Sequence, residues 1–369
     1  MAAFSASGFD AQAYFKARPQ YPEPIFDLIY AFHSRSPSSA RFERALDLGT
    51  GPGLLAYPLT LRFKHVIASD PSSSMLAQAK SIDPRTDLEA MKGQAVPPDH
   101  TLQFLTASVE DLKGVEDQSM DLVVGAAVAH WFDWFAEPNG ERVWSELERV
   151  LRPGASVVFV GYMVAAAAGL EVFNKYCVES LSQHPDRLGK YYELDNPQAP
   201  VQIVRSCYDM IPPPRAPAWD ESQTFSLKQD IDPSIFTSTE PPSAAPSWVT
   251  STLSPYFSAL HLLKSDSEIQ KSGLPTLLRK KGKLRQIVDM FKSSSGYVKL
   301  RAERPDEAEA LVEAWMEEAR LEQAKADAAK KLGKDVGSVS SGEAQQFLLP
   351  WDHDIELIYP THISFYRRA

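Results

Sequence analysis

Apolar residues fall in strand-length bursts through the first half of this chain: RALDLG (44–49), HVIASD (65–70), LQFLTA (102–107), DLVVGA (121–126) and SVVFVGY (156–162). Helical patterns separate most of them. LLAYPLTLRF follows the first burst, SSSMLAQAKSI the second, and GERVWSELERVLRPG precedes the fifth, closing on Pro153-Gly154 as a helix end does. Strand alternating with helix in this rhythm predicts an α/β fold, a doubly wound and mostly parallel sheet with helices on both faces.

Beyond residue 162 the pattern changes. Residues 183–250 carry much of the proline and little helical periodicity, so they read as irregular covering structure. A helix-compatible block runs from Trp248 to about Lys292. A charged one from Pro305 to Lys334, rich in strong helix formers, predicts a long exposed helix. GKDVGSVSSGE (333–343) reads as a flexible loop, and HDIELIY and THISFYRR around Pro360 as an antiparallel hairpin returning to the sheet. The expected organisation is a covering segment (1–40), a core (41–162), a mostly helical insertion over the active site (163–345) and a C-terminal hairpin (346–369) that brings the sheet to seven strands.

Ala155 to Leu170 contains no charge, but it is shorter than the ~20 apolar residues of a membrane helix and holds Gly161 and Gly169, so a buried strand and helix explain it better. No membrane partner is expected. The net charge of −10 repels a phosphate backbone, and only Arg279-Lys280-Lys281 with Lys283 and Arg285 forms a basic cluster, so nucleic acid is disfavoured. Two cysteines, Cys177 and Cys207, build neither a disulfide framework nor a zinc site, and the histidines show no ligand spacing; no metal is expected. The first residues lack a basic stretch followed by an apolar one, which points to the cytoplasm or nucleus rather than secretion.

The chemistry concentrates in Asp47-Leu48-Gly49-Thr50-Gly51-Pro52-Gly53, between a predicted strand and helix, where glycines let the backbone turn tightly and a ligand approach. A dinucleotide loop needs G-x-G-x-x-G, yet Leu54 stands three after Gly51 and an acid, Asp47, opens the loop. That carboxylate would repel a pyrophosphate. It suits S-adenosylmethionine, which carries an ammonium and a sulfonium and no phosphate. Asp70, ending the second strand, is placed to accept hydrogen bonds from ribose hydroxyls.

With ALDLGTGPG as the first motif, the sequence resembles the class I S-adenosylmethionine-dependent methyltransferases of Rossmann-like fold, and within them the trans-aconitate methyltransferase-like group with its fungal small-molecule relatives. FDAQAYFKARPQYP resembles the group's cofactor-covering helix, ASVEDL its adenine-side motif, DLVVGAAVAHWFD its fourth-strand motif and LERVLRPGASVVFVGY its helix and fifth strand. The resemblance covers most of residues 9–162. It implies that Asp47, Gly49, Thr50 and Gly51 hold the methionine end, Asp70 the ribose, and Pro71 and Met75 the adenine faces. It also implies that Ser108, Val109 and Glu110 reach the adenine amino group and that Gly125 and Ala126 line the sulfonium. Ala127 departs from a polar residue frequent in relatives.

His130 follows the fourth strand at its carboxyl end, where open α/β sheets bind ligands. It is the candidate base or acceptor-orienting residue, or else a histidine packed between Trp131 and Trp134. Tyr14 and Arg18 on the covering segment are candidates to close over the cofactor, Arg18 also to pair with a carboxylate. Tyr21, Trp131, Tyr162, Trp248 and Tyr256 are candidates to line an acceptor pocket, or to be core. The expected reaction is methyl transfer to a small molecule, at oxygen of a carboxylate or hydroxyl. The rivals are a non-catalytic fold that binds cofactor or ligand and, less favoured by the charge, an RNA or protein methyltransferase.

Overall fold

The structure is a computed structural model and describes residues 14, 16–36, 40–85, 93–135, 141–179, 187–228, 249, 251–252 and 277–369. Helix α1 (Glu23–Ser34) leads into β1 (Arg44–Leu48), a short α2 (Ala56–Leu59), β2 (His65–Ser69), α3 (Ser73–Ser81), β3 (Thr101–Leu105) and β4 (Met120–Ala126). Helix α4 (Glu141–Val150) and β5 (Leu151–Tyr162) complete the core alternation. These are the five predicted strands. Helix α4 stops at Val150, earlier than Pro153-Gly154 suggests, because Leu151 already pairs with Met120 and draws the backbone into the sheet.

The seven-stranded sheet has the order β3-β2-β1-β4-β5-β10-β7, parallel from β3 through β5. Its last two strands are β7 (Phe225–Lys228) and β10 (Thr361–Arg367), β10 running antiparallel to both β5 and β7. The period-2 alternation of the strands divides two cores. Leu122, Val124, Val158 and Val160 face the α1 side, while Val123, Val157 and Phe159 face Trp134 and Trp144. All of β10 is buried, Arg367 included, whose guanidinium donates to the carbonyls of His33 and Gly154 and to Ser156 Oγ at 3.3, 3.0 and 2.8 Å and stacks on Phe32.

The C-terminal pair of segments is antiparallel in character, as expected, but each strand finds its own partners. β9 (Asp354–Tyr359) joins a three-stranded sheet between β6 (Ala166–Ala167) and β8 (Leu278–Lys283), and Pro360 sends the chain from that sheet into the other. The edge strand β7 comes instead from the proline-rich stretch read as irregular.

Residues 163–345, expected to form an insertion, carry α5 (Glu171–Glu179), α6 (Pro200–Arg205), α7 (Arg285–Lys292), α8 (Ser295–Glu303), α9 (Ala308–Leu332) and α10 (Ser341–Gln345). Three sequence expectations are corrected here. Residues 278–283 are a strand, recruited by β9, rather than part of a helix. Helix α9 is not simply exposed: Ala308, Val312, Trp315, Met316, Ala319, Gln323 and Ala324 form a buried stripe at helical spacing. The glycine-serine stretch is ordered by a capping box, the Ser340 side chain accepting from Glu343 N–H while Glu343 reaches back to Ser340 N–H. Among the described residues no helix is long and apolar enough to cross a membrane.

Candidate functional site

The loop after β1 carries Asp47 at the carboxyl end of the strand, 1% exposed. Its Oδ2 accepts the Thr50 hydroxyl at 2.6 Å, and no cation pairs with it among the described residues. Another buried strand aspartate, Asp121, contrasts with it: Asp121 accepts the N–H groups of Glu43 and Arg44 at 3.1 and 2.8 Å and pairs with Arg152, which pins the start of β1 to β4. Burial, reinforced by the neighbouring Asp70, pushes the Asp47 carboxyl up to about 7 despite the Thr50 hydrogen bond. Asp70 itself is raised by burial; its two oxygens accept Gly51 N–H at 2.9 Å and Ser72 N–H at 2.8 Å, tying the ends of β1 and β2 together.

Two glycines shape this loop for different reasons. Gly49 has φ +56°, and a Cβ there would lie 2.1 Å from Val128 Cγ2. Gly51 has φ +51°, but a Cβ there would meet nothing within 4 Å. The first glycine makes room for the protein; the second keeps open a space. That space is a cavity of about 50 Å3 lined by Tyr14, Arg18, Tyr21, Asp47, Gly49, Thr50, Gly51, Ala126 and Tyr162, among others.

The adenine-side candidates lie outside this cavity. Met75 and Val109 are buried, the latter in the core that holds Trp134. Ser108 bridges to Asp111, and the Glu110 carboxylate accepts Asp133 N–H at 3.0 Å, joining the segments after β3 and β4. Pro71 is only partly buried, in the bend before α3. Gly125 packs behind Val128, where a Cβ would lie 2.8 Å from Val128 Cγ1, and lines neither cavity described here.

A larger cavity of about 160 Å3 adjoins the first, and Tyr14, Arg18, Ala127 and Tyr162 line both. Its other walls include His130 and Trp131 after β4 and Tyr191, Tyr192, Arg205, Phe291 and Lys299 from the insertion. Lys299 pairs with Glu193 at 2.5 Å, whereas Arg18 has no carboxylate partner among the described residues. The Arg18 guanidinium donates to Ser293 O at 3.1 Å, stacks over Tyr14 at 4.5 Å and leaves Nε unpartnered.

His130 lies 5.1 Å, ring centre to ring centre, from Trp131, and its Nδ1 lies 3.3 Å from the Tyr208 hydroxyl. Its neighbours are Trp131 and Tyr208, not Trp131 and Trp134. Trp134 is fully buried in the other core and donates its indole N–H to Ala129 O at 2.6 Å. Burial, with Arg18 beside it, pushes the His130 imidazole down to about 3, so it is neutral.

Trp248 and Tyr256 lie outside the described residues. Tyr21 borders the smaller cavity rather than the larger, 6.4 Å from the Tyr162 ring. Tyr191, Tyr192, Arg205, Tyr208 and Lys299 escaped the sequence reading: they belong to stretches with no strand or helix rhythm, or to a helix with no motif, and only the packing of the insertion brings them to the core.

Residues 46–159 match the family described as methyltransferase domain. The chain is 29% identical over 187 residues to the probable S-adenosylmethionine-dependent methyltransferase CRG1 of Saccharomyces cerevisiae, covering 50% of this chain and 55% of that protein. It is 29% identical over 175 residues to methyltransferase gedG of Aspergillus terreus, covering 47% and 48%. The chain thus spans about half the length of the curated relatives it matches. A solved structure of a candidate type II methyltransferase from Anaeromyxobacter dehalogenans aligns over 95% of this chain and 97% of that one, with TM-score 0.50 and 16% identity, a likeness of fold.

Proposed function

This chain carries a class I S-adenosylmethionine-dependent methyltransferase domain, with S-adenosylmethionine as its cofactor, and from that premise we propose that it methylates a small-molecule acceptor at a carboxylate or hydroxyl oxygen. One observation carries the reading. A buried carboxylate without a cation, Asp47, borders a cavity that shares a wall with a larger, aromatic-lined one. The first suits a cationic ligand and the second an organic acceptor beside it.

The residues present suit the cofactor. When bound, S-adenosylmethionine supplies an electrophilic methyl group with a neutral leaving group. Asp47 and the open backbone of Gly49, Thr50 and Gly51 would hold its ammonium end, Asp70 its ribose, and Pro71, Met75, Ser108, Val109 and Glu110 its adenine. Arg18 and Tyr14 would close the site from the covering segment, and Ala126 would line the floor. In the larger cavity, Trp131 and Tyr162 would bind the acceptor with Tyr191 and Tyr192, and His130 would touch its reacting group. The protein's task in such a displacement is alignment and exclusion of water, and no enzyme nucleophile is needed.

The test is calorimetric titration of the purified protein with S-adenosylmethionine, S-adenosylhomocysteine and NAD, followed by an acceptor screen with a labelled methyl donor. Binding of both adenosyl ligands and not NAD, with label appearing on a small acid or alcohol, is the expected result. Binding without turnover on any acceptor would make this a ligand-binding protein on a methyltransferase fold, and no adenosyl binding would overturn the reading.

A further inference from the structure

Tyr208 stands where three parts of the molecule meet. It follows α6 in the insertion, its hydroxyl lies 3.3 Å from Nδ1 of His130 after β4, and its ring meets His362 of β10 edge-on at 4.2 Å between centres. The backbone there is unusual: Cys207 and Tyr208, neither a glycine, have φ +53° and +69°. Left-handed backbone at such residues costs on the order of 1 kcal/mol each and persists only where its surroundings impose it. Here Cys207 N–H donates to Val204 O and Tyr208 N–H to Ile203 O, both at 2.9 Å. The turn throws the tyrosine back over α6 toward His130. The far wall is equally fitted, since His362 lies opposite Gly161 in the register of β10 and β5, and a Cβ on Gly161 would fall 1.9 Å from the His362 ring.

We propose that Tyr208 is a positioning residue whose hydroxyl donates to Nδ1 of His130, so that the imidazole keeps its proton on Nε2 and presents an N–H donor, not a base, to the larger cavity. The direction of the hydrogen bond follows from the two groups themselves. Burial holds the phenol protonated, and a phenol O–H is a good donor while its oxygen is a weak acceptor beside a neutral imidazole nitrogen, so its hydrogen is the one to give. Nδ1 is the acceptor within reach. Among the described residues Nε2 of His130 has no protein partner, and His130 lines the larger cavity. The groups facing this imidazole are Arg18, Tyr208 and, across the tyrosine ring, His362; none is a carboxylate that would draw a proton onto Nδ1.

This inference rests on reading the larger cavity as the acceptor site. Its consequence is chemical: His130 takes no proton from the acceptor, and its Nε2–H, with the Arg18 guanidinium, steadies an oxygen that arrives already ionised. Arg18 also disfavours a second positive charge on the ring, as a base would acquire.

The experiment is nitrogen NMR of histidine side chains in the full chain, wild type and Tyr208→Phe, with His130→Gln to assign the resonance. The phenylalanine ring keeps the packing on His362 and removes only the hydroxyl. In the wild type, Nε2 should carry the proton and Nδ1 should resonate as an unprotonated, hydrogen-bonded nitrogen. In Tyr208→Phe that Nδ1 signal should shift to the position of an unbonded ring nitrogen, or the proton should spread over both nitrogens. A proton on Nδ1 in the wild type, or an Nδ1 signal unmoved by the substitution, would overturn the proposal, and the wild-type spectrum decides even should the variant not fold. Calorimetry with S-adenosylhomocysteine on the same samples separates the two readings: lost binding in the wild type speaks against the cofactor site and leaves the proton position to be read independently.

Discussion

The two adjoining cavities differ in the charge on their walls. Asp47, a buried carboxylate that no cation pairs with among the described residues, borders the smaller alone, while Arg18, a partly buried guanidinium with no carboxylate partner among the described residues, lines both. A protein built for stability alone would pair such groups or replace them with apolar ones, because an uncompensated buried charge costs several kcal/mol. On the proposed function, Asp47 would meet the cationic end of the cofactor in the smaller cavity, and Arg18, on the wall the two cavities share, an electron-rich acceptor.

The largest expected effect is at Asp47. The Asp47→Asn variant should lose about 100-fold in S-adenosylhomocysteine affinity, the ~3 kcal/mol of a charge-assisted hydrogen bond. The same change should stabilise the ligand-free protein at pH 8. Asp47 has its folded-state value raised to about 7, so its contribution is fully present below its ordinary value near 4 and is lost as pH rises through 7. The gain should be on the order of 2–4 kcal/mol by denaturant unfolding at pH 8 and vanish below pH 4. Unchanged affinity in the calorimeter would break the comparison on its acidic side.

The two loop glycines sharpen it. Gly49→Ala should destabilise the fold by about 2–4 kcal/mol, through backbone strain and the collision with Val128. Gly51→Ala carries only the strain, ~1 kcal/mol, yet its methyl group would enter the smaller cavity and should weaken adenosyl binding at least as much as Gly49→Ala does. If Gly51→Ala binds normally, that space is not a cradle.

Acid should act on the histidines. His33 and His362 are buried and His130 is partly so, and they are lowered to about 4, 3 and 3 in the order His33, His362 and His130, chiefly by loss of water around the ring. Neutral in the folded state, they contribute stability above the unfolded value of about 6.5 that is lost as pH falls toward those figures, up to ~2 kcal/mol each at pH 5. Urea unfolding between pH 7 and 5 reads the slope; a flat profile would mean that these rings are solvated. The smallest effect is Arg18→Gln, which should make the His130 imidazole easier to protonate, followed by histidine NMR. A histidine that does not move would place the guanidinium's influence elsewhere.

Much of this could be read from residue order. Alternating apolar bursts and helical faces identified the five core strands, because a strand buried between helix layers must be apolar along its length whatever lies elsewhere. That Asp47, the glycines and Asp70 would come together at the ends of β1 and β2 was legible because strand, glycine-rich turn and helix follow one another within a few residues there. The strand β7 was not legible: Phe225–Lys228 has four residues and no distinctive pattern, and it is a strand only because β10 offers a free edge.

Nor could the sequence tell which residues of the insertion meet the core. Tyr208 is 78 positions from His130 and His362 a further 154 beyond Tyr208, so no periodicity links them, and the contact exists because a left-handed turn, the antiparallel return of β10 and the Gly161 gap converge. Local chemistry along the chain determined the sheet and the acidic loop, since both depend on neighbours within a few residues. The larger cavity and the partners of His130 were decided by tertiary structure, because a site lined from distant segments is specified by their packing rather than by any one of them.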